Sequence, residues 1–240
     1  MKIYKFEKVS STQKVARKLI HETKSDKFIV IAKEQTEGYG RHKRKWHSPN
    51  GGLYASIVLK PYTKKLNIIP LAAALAVRKA INEICKIDVK VKWPNDIVIN
   101  SKKLGGIICE AILAGEKLEY LIVGIGVNVN IEHRQFPSQL KKQATSILIV
   151  TGRKFKIESI LNEIIKNLDA YKKLIENNLE EKILNEWRKH DIILGRKVKV
   201  SNREKIVGYA VDIKDDGALI LRRNDGKIVE LYAEDIKIEM

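Results

Sequence analysis

Four short β-rich runs, residues 89–93, 96–99, 106–113 and 118–130, follow one another with only a few residues between them. A strand that returns parallel to its neighbour needs a crossover of roughly a dozen residues, usually a helix. These connections are too short for that, so this stretch must fold as an antiparallel or mixed sheet. The flanking segments supply its covers. Ser10, Ser11 and Thr12 precede a run with Val15, Ala16, Leu19 and Ile20 on one helical face, and are expected to cap a first helix. A short apolar strand at 28–32 leads into the polar, glycine-bearing segment EQTEGYGRHKRKW. A Ser48-Pro49-Asn50-Gly51-Gly52 turn and a strand over 53–59 follow. Pro70 suits the first turn of a helix running to about Lys86.

After Gly152 the pattern changes. Residues 157 to about 190 are charged and helical in period, with Ile160, Ile164, Leu168 and Tyr171 in one stripe. From Gly195 onward come KVKV, KIVGYAVDI, ALILRR and KIVELY, the last three separated by the turns Asp215-Asp216-Gly217 and Asn224-Asp225-Gly226. That rhythm predicts a small SH3-like barrel, and a boundary near Leu194 divides the chain into residues 1–194 and 195–240.

Composition narrows the class. Apolar residues make up 44% of the 240, enough for a sizeable core and against a disordered chain. The apolar stretch around 68–77 is too short to span a bilayer and runs into Arg78 and Lys79, and the N-terminus has no uninterrupted apolar region of a secretory signal. No membrane association is expected. Cys85 and Cys109 stand far apart with no CxxC and no paired histidine, which indicates neither a disulfide framework nor a zinc site. A cytoplasmic protein with two thiols serving as small hydrophobes is the expectation. Lys and Arg number 46 against 29 Asp and Glu, a formal charge of +17. The excess is spread along the chain except for Arg41, Lys43, Arg44 and Lys45, closed by Trp46. Diffuse charge with one basic loop points to a local anionic ligand more than to a nucleic-acid footprint.

Four segments carry candidate chemistry. In Gly38-Tyr39-Gly40-Arg41-His42-Lys43-Arg44-Lys45-Trp46, glycines allow close backbone approach, cations suit phosphate and an indole can stack on a base. Taken alone, a solvated loop with an aromatic anchor is the plainer reading. Lys92-Trp93-Pro94-Asn95-Asp96 puts a cation and a carboxylate at one sheet edge, where a turn with a satisfied Asp fits equally. Lys103-Leu104-Gly105-Gly106-Ile107 joins a lysine to two glycines entering a strand, a sign of a bulge or close approach. Gly124-Ile125-Gly126-Val127-Asn128-Val129-Asn130 alternates Gly and Asn, which on a strand share one face and leave a groove. It lacks the third glycine and the helix of a dinucleotide fingerprint.

In this order the motifs resemble those of biotin–protein ligases: SST, AxxQTxGxGR…RxW, SPxGGLYxS, KWPND, KLGGI and GxGxNxN, with Ala144-Thr145-Ser146 closing a match over roughly 10–146. KWPND followed by KLGG is the specific part. The resemblance implies an α+β catalytic domain, a mixed sheet flanked by helices like that of class II aminoacyl-tRNA synthetases, with the SH3-like barrel appended. It implies synthesis of biotinyl-5′-AMP from biotin and ATP with Mg²⁺, then transfer of biotin to one lysine of a biotin carboxyl carrier protein. By the same carry-over Lys103 holds the carboxylate and bridging phosphate, Arg41 and Arg44 meet the phosphates, and Lys92 adds a cation near the pyrophosphate. Asp96 orients the acceptor amine or meets Mg²⁺ through water. No protein metal cage is implied; the metal comes with ATP.

For biotin, the resemblance assigns Ser11, Thr12, Gln13 and Gln35, the backbone of Gly38, Tyr39, Gly40 and Arg41, Ser56, Lys103, and the backbone of Gly105, Gly106 and Ile107. For the nucleotide it adds Trp46 by stacking, Asn95, and Asn128 by an amide contact. Two loop positions depart from the common GRGRxGRxW: Tyr39 stands for the first Arg and Lys43 for a Gly, which is strained if the backbone there needs positive φ. Relatives often dimerise, so a homodimer is expected. With the chain starting almost at SST, a DNA-binding domain and specific DNA binding are not. A lipoate or octanoate ligase of the same fold is the enzyme alternative, expected to lack KWPND–KLGG and the Gln35 pocket. A basic nucleic-acid module is the non-enzyme one.

Overall fold

The computed structural model describes residues 1–23, 25–201 and 206–239. Seven strands form the first sheet: β1 (Lys2–Val9), β2 (Lys27–Gln35), β3 (Leu53–Leu59), β4 (Lys90–Lys92), β5 (Asp96–Ile99), β6 (Lys102–Ala114) and β7 (Lys117–Val127). Their order is β1-β2-β3-β7-β6-β5-β4. Only β1 and β2 run parallel, because helix α1 (Thr12–Thr23) carries the chain back between them. The remaining pairs are antiparallel, as the short turns require. The sheet is mixed, flanked by helices, as expected from the sequence.

Strand alternation sends Ser56, Val58, Gly124, Ile122 and Glu110 to one face and Ala55, Ile57, Val123, Ile125 and Ile107 to the other. Helix α2 (Ile68–Cys85), apolar nearly all round, covers the second face, with Pro70 in its first turn. Helix α1 covers only part of the first, packing Ala16 and Ile20 on Phe28, Val30, Val58 and Ile122. The uncovered part of that face holds the candidate functional site.

Several expectations need correction. Strand β1 and a short helix α3 (Ile147–Thr151) were not read from the sequence. The helical region after Gly152 is two helices, α4 (Ile157–Glu176) and α5 (Glu180–His190), broken where Asn178 takes a φ of 56°. Strand β7 ends at Val127, so Asn128 and Asn130 are not on the strand face with Gly124 and Gly126. Their amides instead tie down neighbouring loops, Asn128 Nδ2 to Thr145 O at 2.9 Å and Asn130 Nδ2 to Phe155 O at 2.8 Å. Nor does Ser11 cap α1: its hydroxyl is buried and unpartnered, and the Thr12 amide donates to Gln35 Oε1 at 2.8 Å.

The second sheet is β8 (Lys197–Ser201), β9 (Ile206–Ile213), β10 (Leu219–Arg223), β11 (Ile228–Leu231) and β12 (Asp235–Ile238), in the order β11-β10-β9-β8-β12, all antiparallel. This is the SH3-like barrel, with β12 an additional strand; Lys205 of the expected KIVGYAVDI strand lies outside the described residues. Its core of Val198, Val200, Ala210, Leu219, Leu221 and Ile236 is continuous with that of the larger sheet. Fully buried Trp93 donates from Nε1 to Gly217 O at 3.1 Å, and an added Cβ on Gly217 would lie 2.9 Å from the Asn67 backbone. No helix among the described residues is long and apolar enough to cross a membrane. Burial pushes the Cys85 thiol up to about 11 and that of Cys109 up to about 12, so neither is a nucleophile at neutral pH.

Candidate active site

Beyond the N-terminus of α1, a line of hydrogen bonds crosses the open half of the sheet face. Ser56 Oγ donates to Thr12 Oγ1 at 2.8 Å, Thr12 Oγ1 to Gln35 Oε1 at 3.1 Å, and Gln35 Nε2 to Ser48 Oγ at 2.9 Å. Ser48 Oγ donates in turn to Trp46 O at 3.1 Å. The line explains Gly38: an added Cβ there would sit 2.5 Å from Ser48 Oγ and 2.9 Å from both Gln35 Nε2 and Trp46 O. Beside it, Ser11 Oγ, both ends of the Gln13 amide and Trp46 Nε1 are buried without a protein partner. Buried polar groups are normally satisfied. Four such atoms together offer donors and acceptors to a ligand.

The loop closes as a small hairpin. Trp46 N donates to Gly38 O and Gly40 N to Arg44 O, each at 2.8 Å. His42 and Lys43 at its tip both take the left-handed conformation, φ 54° and 56°. The expected strain at Lys43 is therefore present, extended to His42, and costs on the order of 1 kcal/mol per residue. The Trp46 ring lies over Gly126, where a Cβ would come within 2.8 Å of it. Tyr39 is held by a partner that no motif signals: its hydroxyl donates to Glu110 Oε1 at 2.8 Å, and Glu110 also receives Arg17 Nη2 at 3.0 Å. A carboxylate held by both explains how tyrosine anchors this arm in place of arginine.

The cations converge beyond Trp46. Lys103 Nζ pairs with Asp96 Oδ1 at 2.6 Å and stands 5.5 Å from the centre of the Trp46 ring. Its side chain runs past Gly106, where a Cβ would be 3.3 Å from Lys103 Cε. Burial holds the Lys92 amine below its usual value, with Lys103 adding to the effect and Asp96 opposing it. Arg41 Nη1 donates to Asn95 Oδ1 at 3.2 Å. Burial likewise works against the Arg41 charge, which Asp235 and Asp96 support. Arg44 pairs with Asp235 of the barrel. Asn95 bonds both backbone groups of Ile107, giving Nδ2 to its carbonyl at 2.5 Å and accepting its amide at 2.9 Å. The Ile107 side chain is in the core under α2, and an added Cβ at Gly105 would meet Gly126 O at 2.8 Å. Ser11, Thr12, Gln13, Gln35, the loop, Lys92, Asp96 and Lys103 thus lie along one face of the sheet, while Gly105, Ile107 and Asn128 tie the backbone beside them. A 340 Å³ cavity lined by Ile57, Tyr62, Ile69 and Leu168 lies on the opposite face of the sheet.

Residues 5–128 match the model of the biotin/lipoate A/B protein ligase family. The chain belongs to that family. Residues 193–236 match the biotin protein ligase C-terminal domain. The chain is 34% identical over 236 residues to the bifunctional ligase/repressor BirA of Bacillus subtilis, covering 96% of this ligase-family chain and 72% of the relative. It is 28% identical to the biotin–[acetyl-CoA-carboxylase] ligase of Mycobacterium tuberculosis, over 88% of this chain and 79% of that one. Among solved structures, the biotin protein ligase of Aquifex aeolicus in complex with biotin and ATP superposes with a TM-score of 0.87 at 30% identity, covering 99% of this chain and 98% of that one.

Proposed function

We infer that this chain is a biotin–protein ligase in which the orphaned polar groups take biotin's ureido ring and the four cations manage the phosphate charge. It is an ATP-dependent enzyme. The reaction has two halves. A carboxylate oxygen of biotin attacks the α-phosphorus of ATP; pyrophosphate leaves and biotinyl-5′-AMP remains. A lysine amine of the carrier then attacks the acyl carbon, and AMP leaves. In the first half two anionic groups must approach, so fixed cations lower the barrier most where charge builds up. We assign Lys103 and Arg41 to the carboxylate and α-phosphate and Lys92 and Arg44 to the departing phosphates.

The ureido ring brings one carbonyl acceptor and two N–H donors. Ser11 and Gln13 present unpaired buried groups of both kinds, and this observation carries the assignment. Trp46 is the surface for the adenine. Among the described residues no three His, Cys, Asp or Glu side chains gather as a metal cage. We assign magnesium to the ATP phosphates, with Asp96 the carboxylate beside them. The second half needs proximity and a dry adenylate, which the 38–46 hairpin supplies by covering it. We assign the acceptor to a biotin carboxyl carrier domain; an acidic one would be drawn to a surface of this charge.

The test is biotin-dependent release of pyrophosphate from ATP, wild type beside Lys103→Ala, with lipoate and octanoate as control acids. Release with biotin alone, reduced about 10²- to 10³-fold in the variant, is expected. Equal release in the variant would remove Lys103 from the mechanism, and release with lipoate instead would overturn the substrate.

A further inference from the structure

The arginines assigned to ATP are already partnered. Arg44 pairs with the Asp235 carboxylate, and Arg41 Nη2 donates to the carbonyls of Ala233 and of Glu234, the latter at 3.3 Å. Arg41 Nη1 stands 3.9 Å from Asp235 Oδ1. These oxygens come from the turn between β11 and β12 of the barrel and from Asp235, the first residue of β12. That turn is built rigidly: Glu234 Oε2 accepts the amides of Tyr232 at 2.8 Å and Ala233 at 2.9 Å, and Ile236, the residue after Asp235, is buried in the core. The barrel therefore presents a preformed cluster of acceptors to the two guanidiniums.

We propose that Asp235 is an exchangeable counter-anion in the nucleotide site. It holds Arg44 and Arg41 in place and is displaced by the ATP phosphates, so the barrel sets the enzyme's affinity for nucleotide. The inference rests on the assignment of Arg41 and Arg44 to the phosphates. Two observations and the chemistry of phosphate support displacement over a fixed docking contact. Arg44 is 64% exposed, so its pair is wet and weak, whereas the Arg41 side chain is only 18% exposed and keeps Asn95 as a second anchor when Asp235 lets go. Asp235 also acts on Lys92, so one carboxylate offsets charge on three of the four cations assigned to ATP. A triphosphate carries several negative charges against one, and a guanidinium binds phosphate in the same two-pronged geometry it uses for a carboxylate.

Replacing Asp235 with Asn removes the competitor and leaves the shape. An exposed pair of this kind is worth little, so the KM for ATP should fall by about two- to fivefold. The KM for biotin should stay within twofold, and Asp235→Glu should restore the wild-type KM for ATP. Adding Arg44→Ala to Asp235→Asn should cancel the gain. An unchanged or raised KM for ATP in Asp235→Asn would overturn the proposal and leave Asp235 a docking contact. A second measurement uses the unaltered protein and inorganic tripolyphosphate without biotin: amide exchange should speed at 232–235 and slow at 41–45. Unchanged or slowed exchange at 232–235 would also overturn it. Because this arm needs no biotin chemistry, its outcome is separate from a wild type that releases no pyrophosphate with biotin, which would instead overturn the functional reading.

Discussion

Lys92 shows how position turns an ordinary side chain into a sensitive one. Burial in the cleft favours its neutral form, and the neighbouring Lys103 adds to that, with Asp96 pulling the other way. The amine thus loses its proton at a lower pH than a free lysine, and with it one cation of the phosphate site. The kcat/KM for ATP should therefore decline on the alkaline side before the normal lysine range. Lys92→Arg, which stays charged there, should move that limb upward. A limb unmoved in Lys92→Arg would assign it to another group. At Gly126 the issue is space. A methyl group 2.8 Å from the Trp46 indole must push the ring off the strand. Gly126→Ala is expected to raise the KM for ATP several-fold while the thermal midpoint changes little, since β7 tolerates alanine; steady-state kinetics beside a melting curve check both halves.

At the scale of elements, the 38–46 hairpin is fastened at both ends. Tyr39 ties its first arm to Glu110 of β6, which Arg17 of α1 also holds; Arg41 and Arg44, on either side of the tip, tie it to Asn95 and the barrel. Between the anchors, His42 and Lys43 sit in a backbone region that disfavours them. The anchors must hold that strain, so loosening one should open the loop. Tyr39→Phe removes a hydroxyl but no bulk, leaving Glu110 to Arg17 alone. It should speed loss of biotinyl-5′-AMP from the enzyme by several-fold, about the 1 kcal/mol of one net hydrogen bond. A filter or gel-filtration assay of adenylate retention reads this, and retention equal to wild type would show that Tyr39 merely packs. The KWPND and KLGG motifs were legible here because β5 and β6 are neighbours on a short hairpin: spacing alone brings Asp96 opposite Gly106 and beside Lys103. Glu110 and Arg17 carried no such signal, since their partners lie in elements that sequence spacing does not bring together.

At the scale of the whole molecule, body and barrel share a core rather than a linker. Trp93, in the turn after β4, is the joint: fully buried, it bonds Gly217 of the barrel, while Asp191 after α5 accepts amides from Trp93, Ile193 and Leu194. Trp93→Phe leaves the Gly217 carbonyl buried and unpaired, and should cost about 1–3 kcal/mol in denaturant unfolding with one transition retained. A chain ending at Leu194 exposes the apolar surface that the barrel covers, and should melt well below the full chain or aggregate. A cooperative melt at the full chain's midpoint would contradict a shared core.

Periodicity and turn residues encode the local elements, short connections impose the mixed sheet, and the KWPND spacing puts Lys92 and Asp96 at one sheet edge. Strand β1, with largely exposed residues, gave no alternating signal, and β12 followed its neighbour without a turn motif. Which charges meet was settled by packing. Arg44 and Asp235 stand 191 residues apart and pair because the barrel docks on Trp93 and the start of α2. Hydrophobic pattern is written residue by residue along a chain, whereas an ion pair between elements exists only after packing has fixed where their ends lie.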